Sequence, residues 1–328
     1  MNRASSALVV LLLSALSPCS FAQKDLSAPS FKPLETSFYR VHFKINRDIK
    51  TKSVVSLSQT PTQANLDVQG ILQVEVLPSD ASVLPGSIRL RTWFLTLASD
   101  LSVRPRGSKS GEASMQRVPA ENRFIDCTLT PAGEVDQIMG LDALASEQQQ
   151  AWREWGTRFA AAFLVASEKH KRGDEWSADE PEATPSPLAE LHWQKKSQYV
   201  RDEPCAPLKL TRASEFERVP NSDSCAVIVA TAALVQKSSS RDSTPPDYKQ
   251  HHLRTSGTAT GTSDVILSIS RRTGQLVRAT QNAKQQMDVS IALSDGSTQV
   301  HYDIDATATT SVELITDLPL ILRPKSYE

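Results

Sequence analysis

The sequence lacks several features that mark common functional classes. Its formal net charge is −1 over 328 residues, so no excess of positive charge suggests a nucleic-acid partner. It contains no glycine-rich phosphate loop, HExxH helix or GxSxG elbow. Its few cysteines have no matching CxxC spacing, which argues against a zinc site. We therefore predict a protein that is not an enzyme, with no catalytic residue, metal ligand or cofactor assigned, and with unknown ligand-binding residues.

Long apolar runs are also lacking, apart from one near the start. Residues 7–16 follow Arg3 and precede small residues up to Ala22, a pattern typical of a signal peptide cleaved after residue 22. This run is too short for an ordinary membrane span, and no later run approaches about 18 apolar residues. We expect a periplasmic or secreted protein with no transmembrane segment after signal removal. Lipid attachment at Cys19 is the alternative, although Pro18 lies where a small residue would be expected.

Removal of the signal peptide leaves Cys127, Cys205 and Cys225 in a compartment that permits disulfides. Cys205 and Cys225 lie in a polar, proline-bearing connection, and we predict a disulfide between them. This bond would close a loop of about 20 residues and contribute roughly 3 kcal/mol to stability. Cys127 falls inside an alternating segment and is predicted to be a buried small hydrophobe.

The last part of the sequence alternates apolar and polar residues most regularly. Residues 264–270, 275–280, 287–294 and 300–314 each follow this period of two, which predicts four successive antiparallel strands with one apolar and one polar face. The break at residues 271–274 predicts a tight hairpin. The pair at residues 295–296, Asp-Gly, predicts a second hairpin with a two-residue type I′ turn.

The first part of the sequence predicts further strands and one helix. Four alternating segments precede residue 100, and residues 121–130 and 134–139 form a strand pair. A helix is predicted at about 146–170, because Ser146 and Gln149 match a capping box. Its apolar stripe consists of Trp152, Trp155, Phe159, Ala162, Phe163 and Ala166. Such a stripe could be a ligand platform, but we interpret it as a helix packing on a sheet.

Together these elements predict an α+β protein, predominantly antiparallel β, with curved sheets or a half-barrel and one amphipathic helix packed on it. The predicted order is a signal peptide (1–22), a polar leader (23–35), a β-rich half with the helix (36–172), an acidic proline-rich loop (173–187) and a second β-rich half (188–328). Residues of about 237–262, rich in serine and threonine, are predicted to be mobile. The sequence leaves open whether the halves form one continuous domain, and one sheet or two.

Two histidine-containing groups could bind a metal ion. His301, Asp303 and Asp305 share one face of a strand, where alternate side chains could hold one metal ion. His251 and His252 lie in the predicted mobile segment. No second strand contributes a visible partner to the first group, which we interpret as a polar strand face, and we interpret the histidine pair as part of an exposed polar loop. A metal-dependent enzyme based on the first group is the remote alternative.

The signal peptide, the many alternating strands and the one aromatic helix resemble the half-barrel folds of bacterial envelope proteins that carry lipophilic molecules, such as the lipoprotein carriers. Residues 133–141 and 273–277 are also similar to segments of uncharacterised secreted bacterial proteins with repetitive sheets. The resemblance implies a curved sheet that holds an acyl chain on its concave face. We therefore expect a hydrophobic ligand or an envelope protein as the partner. The alternative is an interaction module without a small ligand, which uses sheet edges or the basic loop of Arg104, Arg106 and Lys109.

Overall fold

The computed structural model describes residues 35–53, 62–78, 83–105, 114–118, 123–130, 135–144, 146–159, 170–182, 186–211, 215–296 and 299–318. These residues form one 14-stranded sheet, which is curved and open and accompanied by short helices. Almost every pair of neighbouring strands is antiparallel. The predicted fold class, α+β with predominantly antiparallel β, is therefore confirmed.

The N-terminal part of the described chain forms strands of very different lengths. They are β1 (Thr36–Ser53), β2 (Thr62–Val76), β3 (Ile88–Pro105), β4 (Ser114–Val118), β5 (Ile125–Leu129) and β6 (Val135–Met139). A 3₁₀ turn (Leu141–Ala143) and helix α1 (Ser146–Arg158) follow. Strands β5 and β6 pair with each other, as the sequence predicted.

The C-terminal part contains the longest strand of the described sheet, which has 19 residues. Its elements are β7 (Glu175–Pro181), β8 (Leu191–Pro204), β9 (Leu208–Leu210), β10 (Phe216–Arg218), β11 (Ser224–Gln236), α2 (Pro246–Gln250), β12 (Leu253–Ser270), β13 (Leu276–Leu293) and β14 (Gln299–Asp317). The four strands predicted after residue 263 are therefore three, because two of them join into β13. Pairing of β13 with β14 extends to Ala292 opposite Gln299, a register centred on the predicted turn at residues 295–296. Residues 297–298 lie outside the described residues, so the type of this turn stays a prediction.

The two β-rich halves share a single sheet. The main strand order is β6-β5-β3-β2-β1-β14-β13-β12-β11-β8-β7. Strands β1 and β14 join the halves, with an antiparallel register that runs from Phe38 opposite Ile315 to Ser53 opposite Val300. This pairing decides the question that the sequence left open, in favour of one sheet.

Two segments that the sequence predicted as loops take part in the sheet. Strand β7 lies within the predicted acidic loop and pairs with β8 at one end of the strand order. Its charged, exposed residues suit an edge strand, because charge discourages further strand addition. Residues 253–262 of the predicted mobile segment form the start of β12. Serine and threonine content misled the prediction there, since threonine and alternating small residues also fit a pleated strand.

Helix α1 packs on the apolar face of the sheet. Trp152, Trp155 and Phe159 are almost completely buried, which confirms the predicted core face for these three residues of the stripe. The Trp152 Nε1 donates a hydrogen bond to Thr92 Oγ1 on β3 at 2.5 Å. The rest of the predicted helix, from residue 160 onward, lies outside the described residues. In the part of the chain described here, every helix is too short or too polar to cross a membrane.

Gly257 is a point of close approach within β12, and its replacement is a test of the register. Its φ is 143°, and a Cβ atom there would lie 1.9 Å from the carbonyl oxygen of Asp288 on β13. Its N–H donates to the Ser240 carbonyl at 2.8 Å, and its carbonyl accepts from Gln236 Nε2 at 3.1 Å. We expect Gly257→Ala to lower the free energy of unfolding by about 2 kcal/mol, measured by chemical denaturation.

The matched control for that substitution is Gly173→Ala. Gly173 also has a positive φ, 98°, but nothing lies within 4 Å of an added Cβ. Its replacement should cost about 1 kcal/mol, from the backbone conformation alone. Equal losses for the two variants would contradict the close approach of β12 and β13 at Gly257.

Candidate functional site

The period-two alternation of the strands gives the sheet an apolar face and a polar face. The apolar face carries α1 and a core that includes Tyr39, Val41 and Phe43 of β1. The polar face has a row of residues that face one another strand by strand, namely Asp100, Asp67, Lys44, Thr309, Asn282 and Asp264. Candidate sites of different chemistry therefore lie on opposite sides of one sheet.

A cavity of about 350 Å³ lies on the polar face over β1, β2 and β3. It is lined by Lys44, Asn46, Gln63, Asn65, Leu66, Asp67, Asp100 and Ser102. At its edge, His42 Nε2 lies 2.8 Å from Asp67 Oδ1. A smaller cavity of about 80 Å³ shares Asp67 and Asp100 with it. Charged and amide groups dominate this lining, so the cavity suits a small polar molecule and not an apolar chain.

The polar face also brings together His301, Asp303 and Asp288. His301 and Asp303 are two residues apart on β14 and point to the same side, and Asp288 lies directly opposite Asp303 on β13. His301 Nε2 lies 3.2 Å from Asp303 Oδ1 and 3.7 Å from Asp288 Oδ2. On the other side of the ring, His301 Nδ1 lies 3.1 Å from Ser290 Oγ. The imidazole is therefore held between a hydroxyl and two carboxylates.

The other histidine and aspartate positions considered from the sequence do not join this group. Asp305 accepts a hydrogen bond from Gln286 Nε2 at 2.9 Å and is exposed. His251 and His252 are exposed at the end of α2 and are not part of the three-residue group. The observed group therefore contains His301 and Asp303 but not Asp305. Its third member is Asp288, a partner on a second strand that the sequence did not reveal.

Several predicted features fall outside the described residues. They include the signal peptide, most of the polar leader, Cys19, Arg106 and Lys109. Arg104 belongs to β3, one residue before its end. The basic loop, the export signal and the lipidation alternative therefore stay predictions.

The apolar face has a band of small residues that we call the alanine strip, composed of Ala232, Gly261, Ala283, Ala306 and Ala308. These residues lie on β11, β12, β13 and β14, in two neighbouring rows of positions that are paired across the strands. All of them are partly accessible to solvent. Ser263 lies in the row of Ala283, and Gln285 lies in the row of Gly261. The Ser263 hydroxyl is buried and accepts a hydrogen bond from Gln281 Nε2 at 2.8 Å.

Large apolar side chains border the alanine strip on both sides. On one side, the core under α1 begins in the next row of the same face, which contains Phe43. On the other side, a second cluster includes Leu191, Leu234 and Val289. The Trp193 ring covers the strip near β8, because a Cβ added at Gly261 would lie 3.2 Å from this ring. The alanine strip therefore lies between larger apolar side chains, and Ile45 of β1 is the neighbour of Ala308 at one end of it.

The cysteines behave as the sequence predicted. Cys205 and Cys225 form a disulfide across a sequence separation of 20 residues, and both are buried. Cys127 is a free, buried thiol on β5. Burial raises the pKa of this thiol to about 12, so it stays protonated and unreactive at neutral pH.

Comparison with known proteins does not assign this chain to a family. No protein-family model and no curated protein matches the chain. A solved structure titled "Lipid-protein interactions in lipovitellin" matches 91% of this chain with 12% identity and a TM-score of 0.40, and the chain spans only 26% of that protein. Pseudomonas aeruginosa OccK7 (OpdD) matches 87% of this chain and 99% of its own length, with 9% identity and a TM-score of 0.24. TM-scores of this size do not establish a common fold.

Proposed function

We propose that this protein is exported and binds an elongated apolar molecule, such as a fatty-acyl chain, in the alanine strip. The observation that carries the proposal is the partly accessible band of small side chains between two clusters of large ones. The Cys205–Cys225 disulfide supports export, because disulfides persist in oxidising compartments outside the cytoplasm. The predicted signal peptide has the same implication.

The dimensions and chemistry of the strip suit an extended chain. Together with the neighbouring Ile45 on β1, the strip spans five strands, as far as Ala232 on β11. At a strand spacing of about 4.8 Å, this is about 19 Å in length. Covering apolar surface there would contribute about 25 cal/mol for each Å² removed from water. Gln285 places one amide within the strip, where it can orient a polar end of the ligand.

The prediction for this site is that a larger side chain in the strip weakens ligand binding. Ala283 is the central position, with Ala308 on one side and Ser263 on the other. We expect the wild-type protein to bind the fluorescent fatty acid cis-parinaric acid. We expect Ala283→Leu to weaken that binding by about tenfold, equivalent to about 1.4 kcal/mol, because leucine fills the space of the chain. A fluorescence titration measures both affinities.

The control for this titration is Asn282→Leu. Asn282 is the neighbouring residue on β13, but it is exposed on the polar face. Its replacement adds similar apolar surface on the wrong side of the sheet and should change the affinity by less than about twofold, or 0.4 kcal/mol. The proposal is wrong if the wild-type protein does not bind the probe, or if the two variants weaken binding equally.

A second candidate function is a protein–protein interaction through the edge strand β6. Among the described strands, β6 pairs on one side only, with β5. Its Ile138 and Met139 are 44% and 57% exposed, and Phe124 before β5 is 45% exposed. An unpaired edge with exposed apolar residues is a common site of strand addition by another protein. Absence of fatty-acid binding in the titration above would favour this candidate.

A further inference from the structure

We propose that Asp288, His301 and Asp303 form a binding site for a divalent transition-metal ion, with zinc as the best-fitting class. Their three potential ligand atoms lie within 4.8 Å of one another. The two carboxylates and the imidazole come from adjacent strands whose pairing is continuous over this region. This inference is independent of the proposed function, because the site lies on the opposite face of the sheet from the alanine strip.

The orientation of His301 is the first support for the site. Its Nδ1 contacts the Ser290 hydroxyl at 3.1 Å, which leaves Nε2 directed at the carboxylates. Histidines that bind metals almost always use the other ring nitrogen in such a hydrogen bond, which sets the tautomer and the ring plane. The Ser290 hydroxyl oxygen can accept a hydrogen bond from Nδ1–H when Nε2 binds a cation, because a hydroxyl serves as donor or acceptor.

The charge arrangement is the second support for the site. Asp288 and Asp303 are directly opposite each other in the β13–β14 register, and like charges in that arrangement are unfavourable. On the outer sides of the pair, Lys50 of β1 is opposite Asp303, whereas the neutral Thr258 of β12 is opposite Asp288. A cation between the two carboxylates, beside the imidazole, removes this repulsion.

The ligand set decides which metal is favoured. One imidazole nitrogen and two carboxylate oxygens suit zinc, and three protein ligands leave a position open for water. Sites for magnesium or calcium use oxygen ligands, so the imidazole disfavours them. The partial exposure of the group, 26% for His301, 34% for Asp303 and 61% for Asp288, gives an ion direct access from solvent.

Isothermal titration of the tag-free protein with zinc chloride tests this site. We expect one zinc ion to bind per chain, and we expect His301→Ala and Asp288→Asn each to weaken binding by about tenfold or more. Titration with cobalt chloride, followed by visible absorption, reports the coordination geometry independently. Circular dichroism of each variant shows that the sheet is retained.

Matched variants on the same face make the result specific. Asp305→Asn removes a carboxylate from the same face of β14, but Asp305 bonds Gln286 and lies outside the group, so zinc affinity should stay within about twofold. His42→Ala removes a histidine that faces the single carboxylate of Asp67, and it should likewise leave the zinc affinity unchanged. Zinc binding that survives His301→Ala, or no binding by the wild-type protein, overturns the proposal.

Discussion

Replacement of Trp152 by alanine is expected to lower the free energy of unfolding by about 3–5 kcal/mol, the largest effect of any substitution considered for this protein. The side chain is only 2% exposed and contacts Trp155 at a ring-centroid distance of 6.1 Å. The substitution leaves a cavity between α1 and the sheet, and it removes the hydrogen bond from the indole N–H to Thr92 Oγ1. The loss should appear as a lower midpoint in guanidinium denaturation followed by circular dichroism.

The control for Trp152→Ala is Arg153→Ala on the same helix. Arg153 is exposed, and its side chain bonds Gln149 within the helix at 3.2 Å. A surface substitution of this kind should change stability by about 0.5 kcal/mol or less. A loss below about 1 kcal/mol for Trp152→Ala would contradict the docking of α1 on the apolar face.

Removal of the Cys205–Cys225 disulfide is expected to have the second-largest effect. The bond spans 20 residues of sequence and connects the end of β8 to the start of β11. In the chain-entropy description, a loop of this length corresponds to about 3 kcal/mol. The double variant Cys205→Ala/Cys225→Ala should therefore be about 3 kcal/mol less stable than the wild-type protein in chemical denaturation.

A reducing agent provides the control for the disulfide. Dithiothreitol should lower the stability of the wild-type protein to nearly that of the double variant, and it should leave the double variant unchanged. Cys127 cannot cause a difference, because it is a free and buried thiol with a raised pKa. If dithiothreitol also destabilised the double variant, the effect would have to come from another bond.

Local sequence patterns predicted the faces of the elements well. Alternation marked the apolar side of β1 and β14, and helical spacing marked Trp152, Trp155 and Phe159 as buried. These predictions succeeded because side-chain direction depends only on the local backbone period. The disulfide was also predictable, since few cysteines follow the predicted signal peptide and two of them flank a polar connection.

Composition was a poorer guide to the limits of the strands. The segment at 237–262 was predicted to be mobile because of its serine and threonine content, yet residues from Leu253 onward form β12. Likewise, the acidic residues of β7 suggested a loop, although charge is also what an edge strand requires. In both cases the neighbouring strand supplies the backbone hydrogen bonds, which local composition does not report.

The candidate metal site depends both on a local sequence pattern and on the pairing of two strands. Asp288 and His301 were each placed on a polar strand face by alternation, but only the register of β13 and β14 brings them within 3.7 Å. A shift of that register by one residue would turn Asp288 to the other face. The alanine strip also depends on strand register, because four strands align their small residues in two rows.

The sequence by itself determined which residues form strands or helix in most of the described chain and which face of each element is apolar, and it favoured the pairing of Cys205 with Cys225. These properties depend on periodicity and on near neighbours along the chain. Only the tertiary structure decided that the halves share one sheet through β1 and β14, and which side chains meet across strands. The physical reason is that strand order and register depend on backbone hydrogen bonds and side-chain contacts between distant residues, and no local pattern encodes them.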